Sequence, residues 1–225
     1  MKILLLFLFT FSLRATDLHL GDQVPDFDSQ TTLGKINFYK WLDGKWAVMF
    51  SHPKAFTPVC TTELGVLALL NKDFSERNTK IIALSIDNEE SQKNWVKDIN
   101  EKQNSPITFP IISDEKGLVG ELFGMIRPGD KDLNVRSVYI ISPDKKVKLI
   151  LTYPATTGRN FNEILRVLDS LQLVEKKKVA TPANWNPGDQ VVIPKDVSDK
   201  EADKKYLGKV TRIHPYLRMV DQPKI

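Results

Sequence analysis

Five stretches of the 225-residue chain are apolar with little polar interruption, and each is short. Trp46–Ser51, Lys80–Ile86 and Phe109–Ile112 read as buried strands. Ser137–Ile141 and Val147–Thr152 read as two more. They are joined by Ser142-Pro143-Asp144-Lys145-Lys146, a turn-forming run that makes them an antiparallel hairpin. Between the strands lie four segments with helical spacing: Thr61–Glu76, Glu89–Lys102, Lys116–Phe123 and Asn160–Leu173. In the last of these Phe161, Ile164, Leu165, Leu168 and Leu171 fall on one face. Strands that alternate with helices and end in a hairpin predict an α/β fold, a sheet with helices on both faces.

The two ends differ from this middle. After Met1-Lys2 comes an apolar run, Ile3–Leu13, broken only by Thr10 and Ser12. A basic start, a run of that length and then Arg14-Ala15-Thr16 resemble a secretory signal, expected over residues 1–16. The run is too short to span a bilayer, which takes about 20 apolar residues. No integral membrane segment is therefore expected in the mature chain. Export is the expected localisation, with a buried N-terminal strand in a cytoplasmic protein as the alternative. The globular part is expected to begin near Leu18. At the other end, the charge run Glu175–Lys178 and the turn signals Thr181-Pro182 and Asn186-Pro187-Gly188-Asp189 close the last strong helix. Beyond them a short strand is expected at Gln190–Ile193, a charged helix over 198–206 and extended chain over 209–220. This tail is too small to hold a core alone and must dock on the main domain or on a partner.

Composition narrows the function. At 41% hydrophobic and 27% charged the chain is an ordinary globular protein. Residues 1–174 carry 21 basic and 21 acidic side chains, whereas residues 175–225 carry 11 and 7, so the whole surplus of +4 sits in the tail. Acidic residues interleave with that surplus and no basic stripe with aromatics is present, so no nucleic-acid partner is expected. One cysteine, Cys60, excludes an intramolecular disulfide, a zinc knuckle and a Cys-x-x-Cys pair. His19, His52 and His214 are too scattered for a metal cluster, so no metal site is expected.

Cys60 follows the strand Trp46–Ser51 through the loop Ser51–Val59 and opens the next helix. Pro58 suits an early helical position because its missing N–H is not needed there. Thr57 is then the natural N-cap. A cysteine in a first helical turn faces unpaired N–H groups and the positive end of the helix dipole, both of which attract a thiolate. The bland reading is that a lone cysteine is a small buried hydrophobe. By the same standard His52 could be an ordinary loop histidine, Arg136 a surface arginine at a strand edge, and Arg159 a helix-start salt-bridge partner. Trp41, Trp46, Trp95 and Trp185 are expected to serve packing rather than recognition.

Pro53-x-x-x-Thr57-x-x-Cys60 has the form Pro-x-x-x-Thr/Ser-x-x-Cys, the peroxiredoxin signature. The string from His52 to Leu64 resembles the one-cysteine peroxiredoxins, and so does Tyr153–Arg166. Val179-Ala180-Thr181-Pro182 resembles the start of their C-terminal extension. The resemblance runs from about Leu18 to the C-terminus. It implies a thioredoxin-like fold over 18–178, an extension over 179–225 associated with a homodimer, and reduction of hydrogen peroxide and organic hydroperoxides. By the same resemblance Cys60 is the peroxidatic cysteine, Thr57 bonds thiolate and peroxide, and Pro53 shields the pocket from water. Arg136 holds the thiolate and polarises the peroxide, His52 stands beside the pocket, and Glu63 and Arg159 help to order it. No cofactor is implied. With no second cysteine, the sulfenic acid formed on Cys60 must be reduced by an external partner such as glutathione or a thioredoxin-like protein.

The chain departs from the family in three places. Some one-cysteine peroxiredoxins are described as phospholipases that use a serine in Gly-Asp-Ser-Trp-Gly with a histidine and an aspartate. Here the stretch is Asp43-Gly44-Lys45-Trp46-Ala47, with Tyr39 in place of the histidine and Asp144 alone retained, so lipase activity is expected to be absent. The loop from Met125 to Arg136 is shorter than usual, and so is the terminal stretch Arg212–Arg218. The alternative from another class is a non-enzymatic secreted binding or chaperone module on the same fold. The Pro53, Thr57, Cys60 and Arg136 set argues against it.

Overall fold

The computed structural model describes residues 18–103, 106–126 and 135–224. The expected signal at 1–16 and most of the shortened loop before Arg136 lie outside the described residues. The chain divides into two compact units, one of residues 1–68 and 80–158, the other of residues 69–79 and 159–225.

The first unit is built on a seven-stranded mixed sheet, the α/β thioredoxin-like architecture. In chain order the elements up to residue 158, of which the stretch 69–79 belongs to the second unit, are β1 (Asp28–Thr31), β2 (Gly34–Asn37), α1 (Phe38–Leu42), β3 (Trp46–Ser51), α2 (Pro58–Glu76), β4 (Thr79–Ser85), α3 (Glu89–Gln103), β5 (Ile111–Ser113), α4 (Leu118–Leu122), β6 (Arg136–Ile141) and β7 (Val147–Tyr153). The strand order is β2-β1-β5-β4-β3-β6-β7. β4 and β5 run parallel, while β3–β6 and the β6–β7 hairpin are antiparallel. Every residue of β3 and β6 is buried, which is why these strands read as unbroken apolar runs. Side chains including Phe38, Leu42, Met49, Ile82, Leu84, Phe123, Tyr139 and Ile141 form the core of this unit.

The β1–β2–α1 segment carries no such run. Its strands are four residues each and mostly exposed or half-buried, and their register is set by the turn at Gly34, whose φ is +103°. Asn37 then caps α1 by accepting from the Lys40 N–H. Three expected boundaries shift for local reasons. β5 starts at Ile111 rather than Phe109, because Pro110 has no N–H to give the ladder. α4 starts at Leu118 rather than Lys116, because Gly117 takes a left-handed φ of +70° as its N-cap. α5 (Phe161–Lys177) outruns its expected end at Leu173, since Lys176 and Lys177 complement the C-terminal dipole, and it stops at a left-handed Lys178.

In the second unit, α5 is followed by β8 (Val191–Val192), α6 (Asp199–Lys205), β9 (Thr211–His214) and β10 (Leu217–Val220), with the strands in the order β8-β10-β9. The expected tail helix is present and carries a capping box between Ser198 and Glu201. Leu173, Val179, Trp185, Val191, Ile193, Ala202 and Val220 share one apolar cluster, so the tail docks on the end of α5. Arg77 forms a bidentate pair with Asp169 at 2.7 and 3.0 Å, which ties the 69–79 segment to α5.

Candidate active site

β3 and β6 are antiparallel neighbours, with Phe50 opposite Val138, so the C-terminal end of β3 meets the N-terminal start of β6. That junction is bonded: the Ser51 hydroxyl donates to the Val135 carbonyl and accepts the Ser137 N–H at 3.1 Å. The loop leaving β3 carries residues 52–57 into α2, and β6 opens with Arg136. Residues 76 positions apart in sequence thereby come into contact.

Cys60 lies in the first turn of α2 and is fully buried. Arg136 Nη1 is 3.2 Å from Cys60 Sγ and donates to Glu63 Oε2 at 2.7 Å, while Arg136 Nε donates to the Ala155 carbonyl at 2.8 Å. Both Arg136 and Glu63 are buried. Glu63, one turn of α2 beyond Cys60, and Ala155, just after β7, hold the guanidinium plane from two sides. A delocalised cation fixed against sulfur, together with the N-terminal end of α2, attracts a thiolate and leaves donors for a second charged or polar atom beside it.

Pro53 and His52 are buried at the base of the loop, and the His52 ring lies 5.2 Å from that of Trp95. Thr57 occupies the N-cap position of α2, and its carbonyl accepts the Thr61 N–H at 2.9 Å. Its side chain differs from the cap expected: the hydroxyl donates to the Lys54 carbonyl at 2.9 Å. Trp95 Nε1 donates to Thr61 Oγ1 at 3.1 Å, and Thr61 Oγ1 donates to the Thr57 carbonyl, so Trp95 braces the same turn. The first unit thus gathers His52, Pro53, Thr57, Cys60, Glu63 and Arg136. Arg159 falls in the second unit, where it is buried with its guanidinium carbon 5.7 Å from the Phe161 ring centroid. Trp46, Trp95 and Trp185 are buried, and Trp41 is half-buried and packs against the core, so all four serve packing as expected.

Sequence reasoning passed over Ser85, Asp87 and Gln92, which bond to the loop before Cys60 and to one another. One signal could have found them. Gln92 shares a face of α3 with Trp95 and Ile99, both buried, so a polar residue stands at a core position. At the positions of the family's lipase motif, Tyr39 donates to the Val24 carbonyl at 2.6 Å and Asp144 accepts from Ser142. Among the described residues no group of three or more potential ligands could hold a metal.

Comparison with known proteins agrees with this geometry. Residues 20–150 match the AhpC/TSA family, and residues 170–209 match the C-terminal domain of 1-Cys peroxiredoxin. The chain is 50% identical over 214 residues to 1-Cys peroxiredoxin of Dictyostelium discoideum, covering 95% of this chain and 89% of that protein. It is 47% identical over 220 residues to human peroxiredoxin-6, covering 92% and 98%. Among solved structures, the yeast mitochondrial 1-Cys peroxiredoxin superposes with a TM-score of 0.85 at 46% identity, covering 91% of this chain and 99% of that one. A mutant of peroxiredoxin 6 of Arenicola marina gives 0.86 at 45%, covering 92% and 100%. None of these relatives supports the non-enzymatic alternative. With matches that span both units and a single cysteine, the chain belongs to the 1-Cys peroxiredoxins of the AhpC/TSA family, which are thiol peroxidases.

Proposed function

We propose that Cys60 is the peroxidatic thiol and that Arg136, Thr57 and Pro53 complete its site. The thiolate attacks one peroxide oxygen, the O–O bond breaks, and the second oxygen leaves as water or alcohol after taking a proton, which makes Cys60 a sulfenic acid. Arg136 stabilises the charge that builds on the leaving oxygen. The Thr57 hydroxyl has its hydrogen on the Lys54 carbonyl, so its lone pairs remain to accept a peroxide O–H. Pro53 keeps an N–H-free, apolar wall at the pocket. Glu63 fixes the guanidinium and His52 supports the base of the loop; Arg159 joins the reading on its family motif alone. The observation that carries the reading is the 3.2 Å contact between Arg136 Nη1 and Cys60 Sγ. Hydrogen peroxide and organic hydroperoxides are the substrates, with no lipase chemistry at Lys45.

The yeast relative resolves its thiol via glutathione/thioredoxin systems. For this chain, too, the proposed reductant is glutathione or a thioredoxin-like protein, because one cysteine leaves the sulfenic acid without a resolving thiol in the chain. A homodimer, domain limits at 18–178 and 179–225, and export directed by residues 1–16 belong to the same reading. Rapid mixing of the reduced protein with one equivalent of hydrogen peroxide tests it. A fast change in tryptophan fluorescence and one added oxygen on Cys60 are expected, since Trp95 braces the turn that carries the thiol. Both should vanish in Cys60→Ser. Oxidation no faster than that of a free thiol would overturn the proposal.

A further inference from the structure

Arg136 is the first residue of β6, yet its backbone departs from regular ladder geometry. The Ser137 N–H donates to the Val135 carbonyl at 3.0 Å, so Arg136 is the central residue of a three-residue turn closed by an i→i+2 bond. The paired register of β3 and β6 ends at Phe50 opposite Val138, which leaves Ser51 one residue past the ladder, beside that turn. Its hydroxyl engages both ends of the turn. It donates to the Val135 carbonyl and accepts the Ser137 N–H at 3.1 Å, so one oxygen bridges the residues before and after Arg136. Ser51 and Ser137 are both buried, which keeps water from competing for these bonds. Ser51 is itself anchored as the last residue of β3, and the next N–H, that of His52, donates to the Leu84 carbonyl at 3.0 Å. On the far side of the turn, the Val135 N–H donates to the Met125 carbonyl at 2.8 Å, and Ser137 Oγ pairs with Thr152 Oγ1 at 3.0 Å.

A buried strand end has no packing need for a hydroxyl, since an alanine fills the same space. What the oxygen adds is two directed bonds, and both fall on the neighbours of one functional side chain. Glu63 and Ala155 hold the guanidinium at its tip. The direction in which the side chain leaves the strand is set at its root, by the turn. Because the guanidinium stands at the end of a long side chain, a small rotation at the Arg136 Cα becomes a larger displacement beside sulfur. We propose that Ser51 is a positioning residue for peroxide reduction: its hydroxyl clips the turn centred on Arg136 and so aims the guanidinium at the Cys60 sulfur and at the leaving peroxide oxygen. This rests on the reading of Cys60 as the peroxidatic thiol and of Arg136 as the group that stabilises the leaving oxygen. A cation that is displaced but present still attracts the thiolate, whereas stabilising the leaving oxygen depends on where its donors point.

The test uses the full chain and reads two rates on reduced Cys60, oxidation by hydrogen peroxide and alkylation by iodoacetamide. Both need the thiolate, and only the first needs a donor for a leaving oxygen, so their ratio isolates the aim of the cation. Ser51→Ala should lower the ratio about tenfold, the scale of one lost neutral hydrogen bond. Ser51→Thr keeps the hydroxyl and should keep the ratio, while Ser51→Val has the same shape as threonine without the oxygen and should lose it. The threonine–valine pair carries the test even if Ser51→Ala does not fold. On an Arg136→Lys background, which lacks the planar fork, Ser51→Ala should lower the ratio little further, because there is no longer an orientation to set. A merely structural serine would act independently of residue 136. An undiminished effect of Ser51→Ala on that background, or an unchanged ratio in Ser51→Ala and Ser51→Val, would overturn the proposal. Arg136→Lys with the parent ratio would instead overturn the reading of Arg136 beneath it, and peroxidase activity that survives Cys60→Ser would overturn that of Cys60.

Discussion

At the scale of single residues, the site is one cation with three engagements: sulfur, the Glu63 carboxylate and the Ala155 carbonyl. A planar fork can meet all three at once, and an ammonium cannot. Arg136→Lys therefore keeps the charge but loses the orientation. Its second-order rate with hydrogen peroxide should fall about 100-fold, the order seen when one oriented donor of an anion-stabilising site is removed. Stopped-flow fluorescence measures this, and a rate within a fewfold of the parent would mean that charge alone suffices. Arg136→Ala is the poorer experiment. It would remove the guanidinium from the buried Glu63 carboxylate, and breaking a buried pair costs about 3–5 kcal/mol of stability. The residues were unequally legible in sequence. Pro53, Thr57 and Cys60 lie within eight positions and carry a motif. Arg136 had no local mark at all, because what gives it meaning is a strand pairing. Ser85, the last residue of β4, and Asp87, just past it, were invisible for a related reason: short polar side chains there look like the start of a turn until the Asp87 carboxylate is seen accepting from Ala55.

At the scale of elements, legibility followed burial. β3, β4, β6 and β7 announce themselves because at least part of each must be apolar to sit inside the sheet. β1 and β2 lie at one end of the sheet order, carry polar residues, and owe their register to a glycine turn rather than to hydrophobic alternation. The strand–helix junctions are where polar groups do the fixing. Asp114, just after β5, is 5% exposed and accepts the Val119 and Gly120 N–H groups at 3.1 and 2.7 Å, closing the turn into α4. Burial pushes its carboxyl above the ordinary carboxylate range despite those bonds. The native state then binds more protons than the unfolded chain between the ordinary and the raised value. Asp114 accordingly contributes most below the ordinary value, and its contribution falls as pH rises through the raised one. Asp114→Asn has one acceptor oxygen for two amides and no titration. It should be less stable than the parent at about pH 4, with the gap narrowing toward about pH 8. Urea midpoints of both proteins across that range measure it, and a gap that widens with pH would refute the sign.

At the scale of the whole molecule, the controlling fact is that 225 residues contain one thiol and that it is fully buried. The sulfenic form has no partner in its own chain, so its fate is a competition between an outside thiol and a second peroxide. A second peroxide adds another oxygen, giving sulfinic acid, which ordinary thiols do not reverse. A reductant needs the sulfur exposed. The overoxidised fraction per turnover should therefore rise in proportion to peroxide and fall in proportion to glutathione, with their ratio alone setting the outcome. Intact mass after a fixed number of turnovers gives that fraction directly. The same burial predicts that two copies do not resolve one another: each Cys60 sulfur is enclosed by its own loop, and both loops would have to open together and meet. Oxidation without added thiol, followed by denaturation under alkylating, non-reducing conditions, should yield single chains carrying one or more oxygens. A disulfide-linked pair in place of those species would show that a second copy supplies the resolving thiol, and the need for an external reductant would fall with it.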